Sequence, residues 1–228
     1  MERVFIERDD FKVIHEPFAY TYYVHDKKAI VPFMKVDPQH PQSYQDTKKW
    51  ILDAAEESPV YFKDMAYYVP EYLQQDNEFI TRVTNTFMIR EPTSTILSYY
   101  KMDSGVTRDE IGFEYLFKLY RKVADLNDNH PPVVIDAKDL ENNPEEMLQA
   151  YCQAIGLPHK PEALSWEPGM PEEWKGWEEW HVHAANSTGI QKNMEKFDIS
   201  IDDVPHLRSY YEYHLPFYEA LNKYKLKP

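Results

Sequence analysis

Apolar and charged positions alternate along the chain in a pattern that predicts short strands, each followed by a helix. The apolar runs in FKVIHEPF, VYFKDMAYYV, NTFMIREP and PVVIDA have the length and β-branched or aromatic content of buried strands. Helical spacing or capping residues predict helices over 2–9, 43–57, 71–76, 92–102 and from Pro144 to about Ile155. Strands that alternate with helices favour an α/β fold with parallel strands.

The second half of the chain adds a capping box, a Pro- and Trp-rich stretch and a helical tail. Thr107 to Glu110 has the capping-box pattern and leads into apolar residues at helical spacing. Residues 158–180 are rich in Pro and Trp, and the tail from Pro205 predicts one or two helices. Since no internal repeat is present, we predict a single domain over 1–228, with 168–228 as a C-terminal helical cap.

Composition restricts the classes of function. The 228 residues include 25 Lys and Arg against 39 Asp and Glu, and the net charge of −14 disfavours nucleic acid and anionic membranes as partners. The hydrophobic share of 43% is too high for a disordered chain. Cys152 is the one cysteine, which excludes an internal disulfide framework. No apolar run approaches ~18 residues and no signal-peptide core is present, so we expect a cytoplasmic protein.

The densest chemical motif is IREPTSTILSYYK, residues 89–101. It places Arg90 at the carboxyl end of a predicted strand, with Pro92 opening a helix whose free N–H groups point to the same place. This is where anionic ligands bind in open α/β sheets. Ser98 follows eight residues later, so a guanidinium and a hydroxyl can converge on one phosphate. Spacing alone leaves open a salt bridge of Arg90 with Glu91 and a solvent-facing Ser98.

This motif resembles the one with which sulfotransferases hold the 3′-phosphate of 3′-phosphoadenosine 5′-phosphosulfate (PAPS). Three further stretches resemble the same family in the right order: HEPF at 15–18, PVYFKDMAYYVP, and VVIDAKDLENNPEEMLQAYCQAIGLP. The resemblance covers about residues 11–165. It implies a three-layer, mostly parallel sheet flanked by helices, of the P-loop NTPase and sulfotransferase type. It also implies transfer of a sulfuryl group from PAPS to a hydroxyl or amine of a small-molecule acceptor, without a metal.

The resemblance assigns roles to individual residues. Arg90 and Ser98 match the residues that contact the 3′-phosphate, and Lys63 matches the lysine at the sulfuryl-transfer centre. Many family members carry a histidine two residues after that lysine, but this position is Met65 here. Glu16 is then the candidate base for the acceptor hydroxyl.

Each of these assignments has a structural alternative. His15 is the second candidate for the base, and it also fits a satisfied, partly buried imidazole. Glu16 also fits a helix cap or an ion pair, and Lys63 a surface salt bridge with Asp64.

Three features of the C-terminal third are less specific. Ser187, Thr188 and Gly189 form a turn that could donate to a phosphate, in place of the Lys/Arg-Gly motif common in the family. His181 and His183 have a spacing that suits a metal ion, but we expect no metal because no third ligand is near. Trp174, Trp177 and Trp180 recur every three residues, which predicts a packing stripe and leaves an acceptor platform open.

The chain departs from the family in one respect. The family's glycine-rich 5′-phosphosulfate loop should precede FKVIHEPF, yet the first glycine is Gly105. Three explanations of the missing loop are open: the sequence starts at an internal Met, the protein is a degenerate non-catalytic relative, or another loop substitutes. We expect truncation. The alternative function is therefore an inactive fold relative that binds a nucleotide or a protein. A kinase is disfavoured because no Walker motif is present, and a homodimer stays open.

Overall fold

The computed structural model describes residues 1–128, 130–192 and 196–228. These residues form two compact units, and each unit is assembled from two separate stretches of chain. The first unit comprises Met1–Val69 and Lys160–Gln191, and the second comprises Pro70–His159 and Lys192–Pro228. The stretch predicted as a cap, 168–228, contributes to both units, and the single domain stays a prediction. Within the described ranges, no helix combines the length and apolar character needed to cross a membrane.

The described chain contains short strands and mostly short helices. The strands are β1 (Lys12–His15), β2 (Val60–Lys63), β3 (Thr86–Ile89) and β4 (Val133–Asp136). The helices are α1 (Glu2–Glu7), α2 (Tyr44–Glu57), α3 (Pro70–Gln75), α4 (Asn77–Arg82), α5 (Pro92–Met102), α6 (Arg108–Ile111), α7 (Phe113–Leu126), α8 (Ala137–Asn142), α9 (Pro144–Ile155), α10 (Val182–Ala185) and α11 (Pro205–Asn222). A π-helical segment, Thr21–His25, and three short 3₁₀ segments, Pro161–Leu164, Glu172–Trp174 and Glu178–Trp180, complete the elements.

The first unit is built around the parallel pair β1 and β2. Their register runs from Lys12 opposite Val60 to His15 opposite Lys63. The Ser43 side chain accepts a hydrogen bond from the Asp46 amide and caps α2, as the sequence predicts. Helix α1 packs on the pair through Phe5, whose ring stacks on Tyr61 with centroids 3.8 Å apart. This packing fixes the first turn of α1 near the carboxyl ends of both strands.

The second unit is built around the parallel pair β3 and β4. Their register runs from Thr86 opposite Val133 to Ile89 opposite Asp136. One apolar cluster packs on this pair and includes Ile80, Phe87, Ile89, Tyr120, Val123, Val134 and Leu221. A second cluster joins α5, α6 and the start of α7 to α11 through Ile96, Leu97, Val106, Ile111, Phe113, Ile201 and Leu207.

The predicted α/β class with parallel strands is confirmed, and the differences lie in the short helices. The capping box of Thr107 and Glu110 is present, but α6 ends after one turn because Gly112 has a left-handed φ of 82°. The helix predicted to follow the box is therefore two helices. The sequence pattern did not predict α4 and α8, which are only six residues long. Their starts depend on the caps Asp76 and Asp136.

Candidate active site

In the first unit, Glu16, Lys63 and Tyr68 form a tight hydrogen-bonded group. The parallel register ends with His15 opposite Lys63, and the next amide, of Glu16, donates to the Lys63 carbonyl at 2.9 Å. The Lys63 ammonium bonds Glu16 Oε1, and the Tyr68 hydroxyl donates to Glu16 Oε2 at 2.6 Å. Glu16 has a left-handed φ of 40°, an unusual conformation for a residue with a side chain. The strand pairing thus brings together Glu16, Lys63 and His15, the three residues predicted to be catalytic.

The charges around Glu16 keep its carboxylate ionised. Burial opposes ionisation, but the charges of Lys63 and His15 and the bonds from Lys63 and Tyr68 outweigh it and lower the pKa of Glu16 to about 2. Burial likewise disfavours the charged ammonium, yet Glu16 and Glu2 raise the pKa of Lys63. Lys63 therefore remains a cation. A carboxylate with so low a pKa, with both oxygens bonded, is a weak proton acceptor, so this arrangement suits the ion-pair alternative for Glu16 better than the base.

Glu2 and His181 contact His15 from either side of its ring. His15 Nδ1 lies 2.8 Å from Glu2 Oε1 and 3.0 Å from Glu2 Oε2. His15 Nε2 lies 3.1 Å from His181 Nε2 and 3.9 Å from Glu16 Oε1. The His15 side chain is only 2% exposed. Both ring nitrogens of His15 thus face polar groups of the protein.

Two of the tryptophans at three-residue spacing pack against these imidazoles. Trp174 is buried and stacks on His181, with ring centroids 4.5 Å apart and planes at 26°. Trp177 is buried and meets the His15 ring edge-on at 5.9 Å. Trp180 donates its indole N–H to the Pro32 carbonyl at 2.9 Å. The predicted packing stripe is confirmed, and two of its members hold histidines of this cluster.

Asp64 lies beside the same group, but it does not form the salt bridge with Lys63 that the sequence left open as an alternative role for that lysine. The ammonium of Lys63 bonds Glu16 instead, and the Asp64 carboxylate accepts a weak bond from the Phe18 amide at 3.3 Å. Burial and the neighbouring charge of Glu16 raise the pKa of Asp64 well above its ordinary value. Its surroundings thus oppose the ionisation of Asp64.

In the second unit, Arg90 directly follows β3 and is half-buried. Its carbonyl accepts from Thr95, but its guanidinium has no hydrogen bond or ion pair with any described residue. Glu91 does not pair with it, because the Glu91 carboxylate accepts from the Thr93 and Ser94 amides at 3.0 Å and caps α5. The prediction that these helix N–H groups are free for an anion is therefore wrong. Ser98 lies on the half-buried side of α5, without a side-chain partner in the described chain.

Ser187, Thr188 and Gly189 are held by the protein itself. The Ser187 hydroxyl donates to the Ala184 carbonyl at 2.7 Å and accepts from Trp166 Nε1 at 3.0 Å. The Thr188 carbonyl accepts from the Trp166 amide at 3.2 Å, and Gly189 forms an antiparallel bridge with Ser165. A phosphate contact of this turn stays a prediction, while the packing supports a structural role.

The sequence motifs missed Glu2, Tyr68 and His181 as members of the cluster. Tyr68 lies in the stretch that carries Lys63, and its five-residue distance from Lys63 gives no periodic signal. Glu2 is 13 residues from His15, and His181 is 166 residues from it. Only the tertiary fold brings these side chains to one imidazole.

Comparison with known proteins places the chain in a family. The family described as "Sulfotransferase domain" matches residues 1–224. The chain therefore belongs to the sulfotransferase family. The resemblance to sulfotransferases that its motifs carry is thus confirmed at the level of the family.

Two curated proteins of Arabidopsis thaliana are similar to part of this chain. Branched-chain-amino-acid aminotransferase-like protein 2 is 28% identical over 151 residues, which are 64% of this chain and 25% of the relative. Branched-chain-amino-acid aminotransferase-like protein 1 is 28% identical over 154 residues, 65% of this chain and 26% of the relative. The chain spans about a quarter of the length of these curated relatives.

One solved structure is also similar, the "Sulfotransferase Domain from the Curacin Biosynthetic Pathway". It shares 16% sequence identity at a TM-score of 0.39, over 67% of this chain and 58% of that structure.

Proposed function

We propose that this chain transfers a sulfuryl group from PAPS to a hydroxyl or amine of a small-molecule acceptor. The observation that carries the proposal is the cluster of Lys63, Glu16 and His15 at the carboxyl ends of β1 and β2, in a chain that belongs to the sulfotransferase family. A protonated lysine beside a histidine supplies the two groups that sulfuryl transfer needs, a cation for the leaving group and a proton acceptor for the nucleophile.

In the proposed reaction, the acceptor oxygen or nitrogen forms a bond to sulfur. The bond between sulfur and the bridging phosphate oxygen breaks, and PAP (3′-phosphoadenosine 5′-phosphate) leaves with that electron pair. Lys63 stabilises the negative charge that develops on the bridging oxygen, since its ammonium stays protonated and has hydrogens beyond the one that bonds Glu16. The acceptor's proton goes to a base of the protein.

We assign to Glu16 the role of holding Lys63 in place. The role of the base falls to the imidazole of His15 and the groups bonded to it. A pKa of about 2 makes the Glu16 carboxylate a poor acceptor at neutral pH, because general bases work best with a pKa near the working pH. Its two oxygens also fix Lys63 and Tyr68 in place. This arrangement supports a positioning role for Glu16.

We assign Arg90 and Ser98 to the 3′-phosphate of PAPS. The support is the half-buried guanidinium of Arg90, which has no partner in the described part of the chain, at the carboxyl end of a parallel strand. Arg binds phosphate through two parallel N–H bonds, which a lone ammonium cannot do. An arginine that served only the fold would be expected to hold a carboxylate such as Glu91.

Calorimetric titration of PAP into the full chain tests this assignment. We expect micromolar binding by the wild type and a loss of at least tenfold in Arg90→Ala, since a charge-assisted bidentate pair contributes about 1.5–3 kcal/mol. Arg82→Ala is the matched control, because the Arg82 side chain is exposed on α4 and its loss removes the same charge. Equal weakening in both variants would mean that only net charge matters and would contradict the assignment.

Turnover then separates the enzyme from an inactive relative. If the wild type binds PAP but releases none from PAPS over hours, with water or a panel of alcohols and amines as acceptors, the chain is a nucleotide-binding module. If PAPS turnover occurs and is lost in Lys63→Met at unchanged PAP affinity, the transfer chemistry lies where we place it.

A further inference from the structure

Glu2, His15 and His181 form a continuous chain of hydrogen bonds in the first unit. The Glu2 carboxylate meets His15 Nδ1 at 2.8 Å and 3.0 Å, and the opposite ring nitrogen meets His181 Nε2 at 3.1 Å. Glu2 comes from α1, His15 from β1, and His181 follows the 3₁₀ segment Glu178–Trp180. Three separate parts of the chain thus converge on one line of polar atoms.

The position of each proton along this line follows from the Glu2 carboxylate. Burial opposes its ionisation, but the hydrogen bond and charge of His15 outweigh burial and lower the pKa of Glu2. An ionised carboxylate only accepts, so His15 Nδ1 carries a hydrogen and its Nε2 is a lone pair when the ring is neutral. His181 Nε2 must then be the donor to His15 Nε2. The remaining nitrogen of His181, Nδ1, is a lone pair without a hydrogen bond to any described residue.

The imidazoles of His15 and His181 differ in their exposure to solvent. The His15 side chain is 2% exposed, so a substrate cannot reach it directly. His181 is half-buried, and stacking on Trp174 fixes the plane of its ring. Burial, followed by the charges of His15 and Lys63, lowers the pKa of His181 to about 4. His181 is thus neutral at pH 7 and presents a lone pair that a substrate can approach, while the Glu2 carboxylate faces the buried ring of His15.

We propose that Glu2, His15 and His181 form a proton relay that serves the sulfuryl transfer proposed above, on which this inference rests. The acceptor's O–H or N–H proton moves to His181 Nδ1 as the bond to sulfur forms. The proton on His181 Nε2 passes to His15 Nε2 in the same step, so His181 ends neutral and His15 ends as an imidazolium. The Glu2 carboxylate then accepts a hydrogen bond from Nδ1–H of the His15 imidazolium. PAP leaves with the electron pair of the broken S–O bond. His181 contacts the substrate, and Glu2 is a positioning residue.

The charges that face His15 are consistent with a proton coming to rest there. Glu2 from α1 lies on one side, and Glu16 at the end of β1 lies 3.9 Å from Nε2. Lys63 from β2 is bonded to Glu16. The Asp64 carboxyl interacts electrostatically with Glu16, Lys63 and Glu2, and the amino group of Met1 interacts with Glu2 and Lys63. Two facing imidazole nitrogens could also ligate a metal ion. However, no group of three or more His, Cys, Asp or Glu side chains suited to a metal occurs in the described ranges.

Long-range ¹H–¹⁵N NMR of the chain with ¹⁵N-labelled histidine tests the proton positions without a sulfuryl acceptor. At pH 7 we expect His15 to carry its hydrogen on Nδ1 and His181 on Nε2. Glu2→Gln weakens the acceptor of the hydrogen bond from His15 Nδ1, so the Nδ1 tautomer of His15 should be less populated, and Glu2→Asp should restore most of it. A His15 hydrogen on Nε2 at pH 7, or a His181 hydrogen on Nδ1 instead of Nε2, would overturn the relay. Stoichiometric zinc in the purified chain would also overturn it, because His15 Nε2 would then be a ligand.

Hydrolysis of PAPS supplies the catalytic readout, because water is an O–H acceptor that needs no identification. We expect kcat to fall about 100-fold in His181→Gln and in His15→Gln, with the KM for PAPS within about twofold of the wild type. Glu2→Gln should lose less and move the acid limb of the pH–rate profile to lower pH, and Glu2→Asp should recover part of the rate. His183→Gln, an exposed histidine two residues from His181, is the control and should match the wild type.

The outcomes for the relay and for the proposed function are separable. A wild type that neither binds PAP nor hydrolyses PAPS contradicts the proposed function, and the NMR assignment of the ring hydrogens then decides by itself whether the three residues are arranged as a relay. Normal turnover in His181→Gln with an unchanged pH profile overturns the relay and leaves the sulfotransferase proposal intact.

Discussion

Glu16 and Lys63 are joined twice, once through the backbone and once through their side chains. The Glu16 amide donates to the Lys63 carbonyl at 2.9 Å, and the Lys63 ammonium bonds the Glu16 carboxylate. The first bond belongs to the parallel strand pair, so the position of the ion pair is set by the sheet. The strand pairing therefore holds the Cα atoms of both residues close enough for their side chains to pair.

The two partners of this pair differ in exposure, and this predicts an asymmetry between their variants. The Glu16 side chain is 8% exposed and that of Lys63 is 35% exposed. Lys63→Met strands a buried carboxylate and should cost about 3 kcal/mol in the free energy of unfolding, whereas Glu16→Gln leaves an ammonium that reaches water and should cost about 1 kcal/mol. Urea unfolding measures both values. Lys49→Met, which breaks an exposed pair with Asp53, is the control and should leave the urea midpoint unchanged.

Asp64 should make the protein less stable as the pH rises. Burial and the charge of Glu16 raise its pKa in the folded state above the ordinary value of 3.8. Between these two pKa values the folded state holds a proton that the unfolded state has lost, so stability falls with rising pH. Asp64→Asn keeps an oxygen for the Phe18 amide and should raise the Tm at pH 7, with a gain that vanishes near pH 3.5.

The control for this effect is Asp53→Asn, which removes an exposed carboxylate from α2. It should give no gain in Tm at pH 7. Thermal unfolding of both variants across pH 3.5–7.5 makes the comparison. A gain for Asp64→Asn that is constant across this range would contradict the assigned titration.

Gly189 should tolerate no side chain. A Cβ at this position would lie 2.8 Å from the Leu164 carbonyl oxygen, whereas a Cβ at Gly169 in the same unit meets nothing within 4 Å. Gly189→Ala must push apart the bridge between Ser165 and Gly189, and should cost about 1–3 kcal/mol. Gly169→Ala should be close to neutral, so urea unfolding of the two variants isolates the steric effect. Equal stability of both variants would refute it.

Glu91 should contribute to stability as a helix cap. Its carboxylate accepts from the Thr93 and Ser94 amides, and Glu91→Ala should therefore cost about 1 kcal/mol in the free energy of unfolding. Glu145→Ala is the matched control, because Glu145 lies in the first turn of α9 without a capping bond of its own. A cost no larger than that of the control, measured by urea unfolding, would show that the cap is dispensable.

The elements that the sequence predicts best are those with unambiguous end signals. Helix α5 begins at Pro92, and α9 runs from Pro144 to the left-handed Gly156, as the sequence predicts. Helix α4 is separated from α3 by Asp76 alone, so no longer turn marks it as a second helix, and the apolar run that continues across Gly112 hides the break there.

The candidate site likewise contains residues that the sequence predicts and residues that it does not. The resemblance to sulfotransferases assigned Glu16, His15 and Lys63 to one site, and the parallel pairing of β1 and β2 brings them together at the carboxyl ends of the strands. The contacts of His15 with Glu2 and His181 depend on how α1 and a distant loop pack, and no local pattern encodes that packing.

The discontinuous first unit has a consequence for synthesis on the ribosome. Residues 1–69 emerge before their partner stretch, residues 160–191, which follows only after the intervening 70–159. At bacterial to eukaryotic elongation rates this wait lasts roughly 5 to 20 seconds, during which the apolar faces of α1 and β1 lack the segment that completes their unit. Residues 1–69 therefore wait in the nascent chain with this apolar surface uncovered, and slow codons between 70 and 159 would lengthen the exposure.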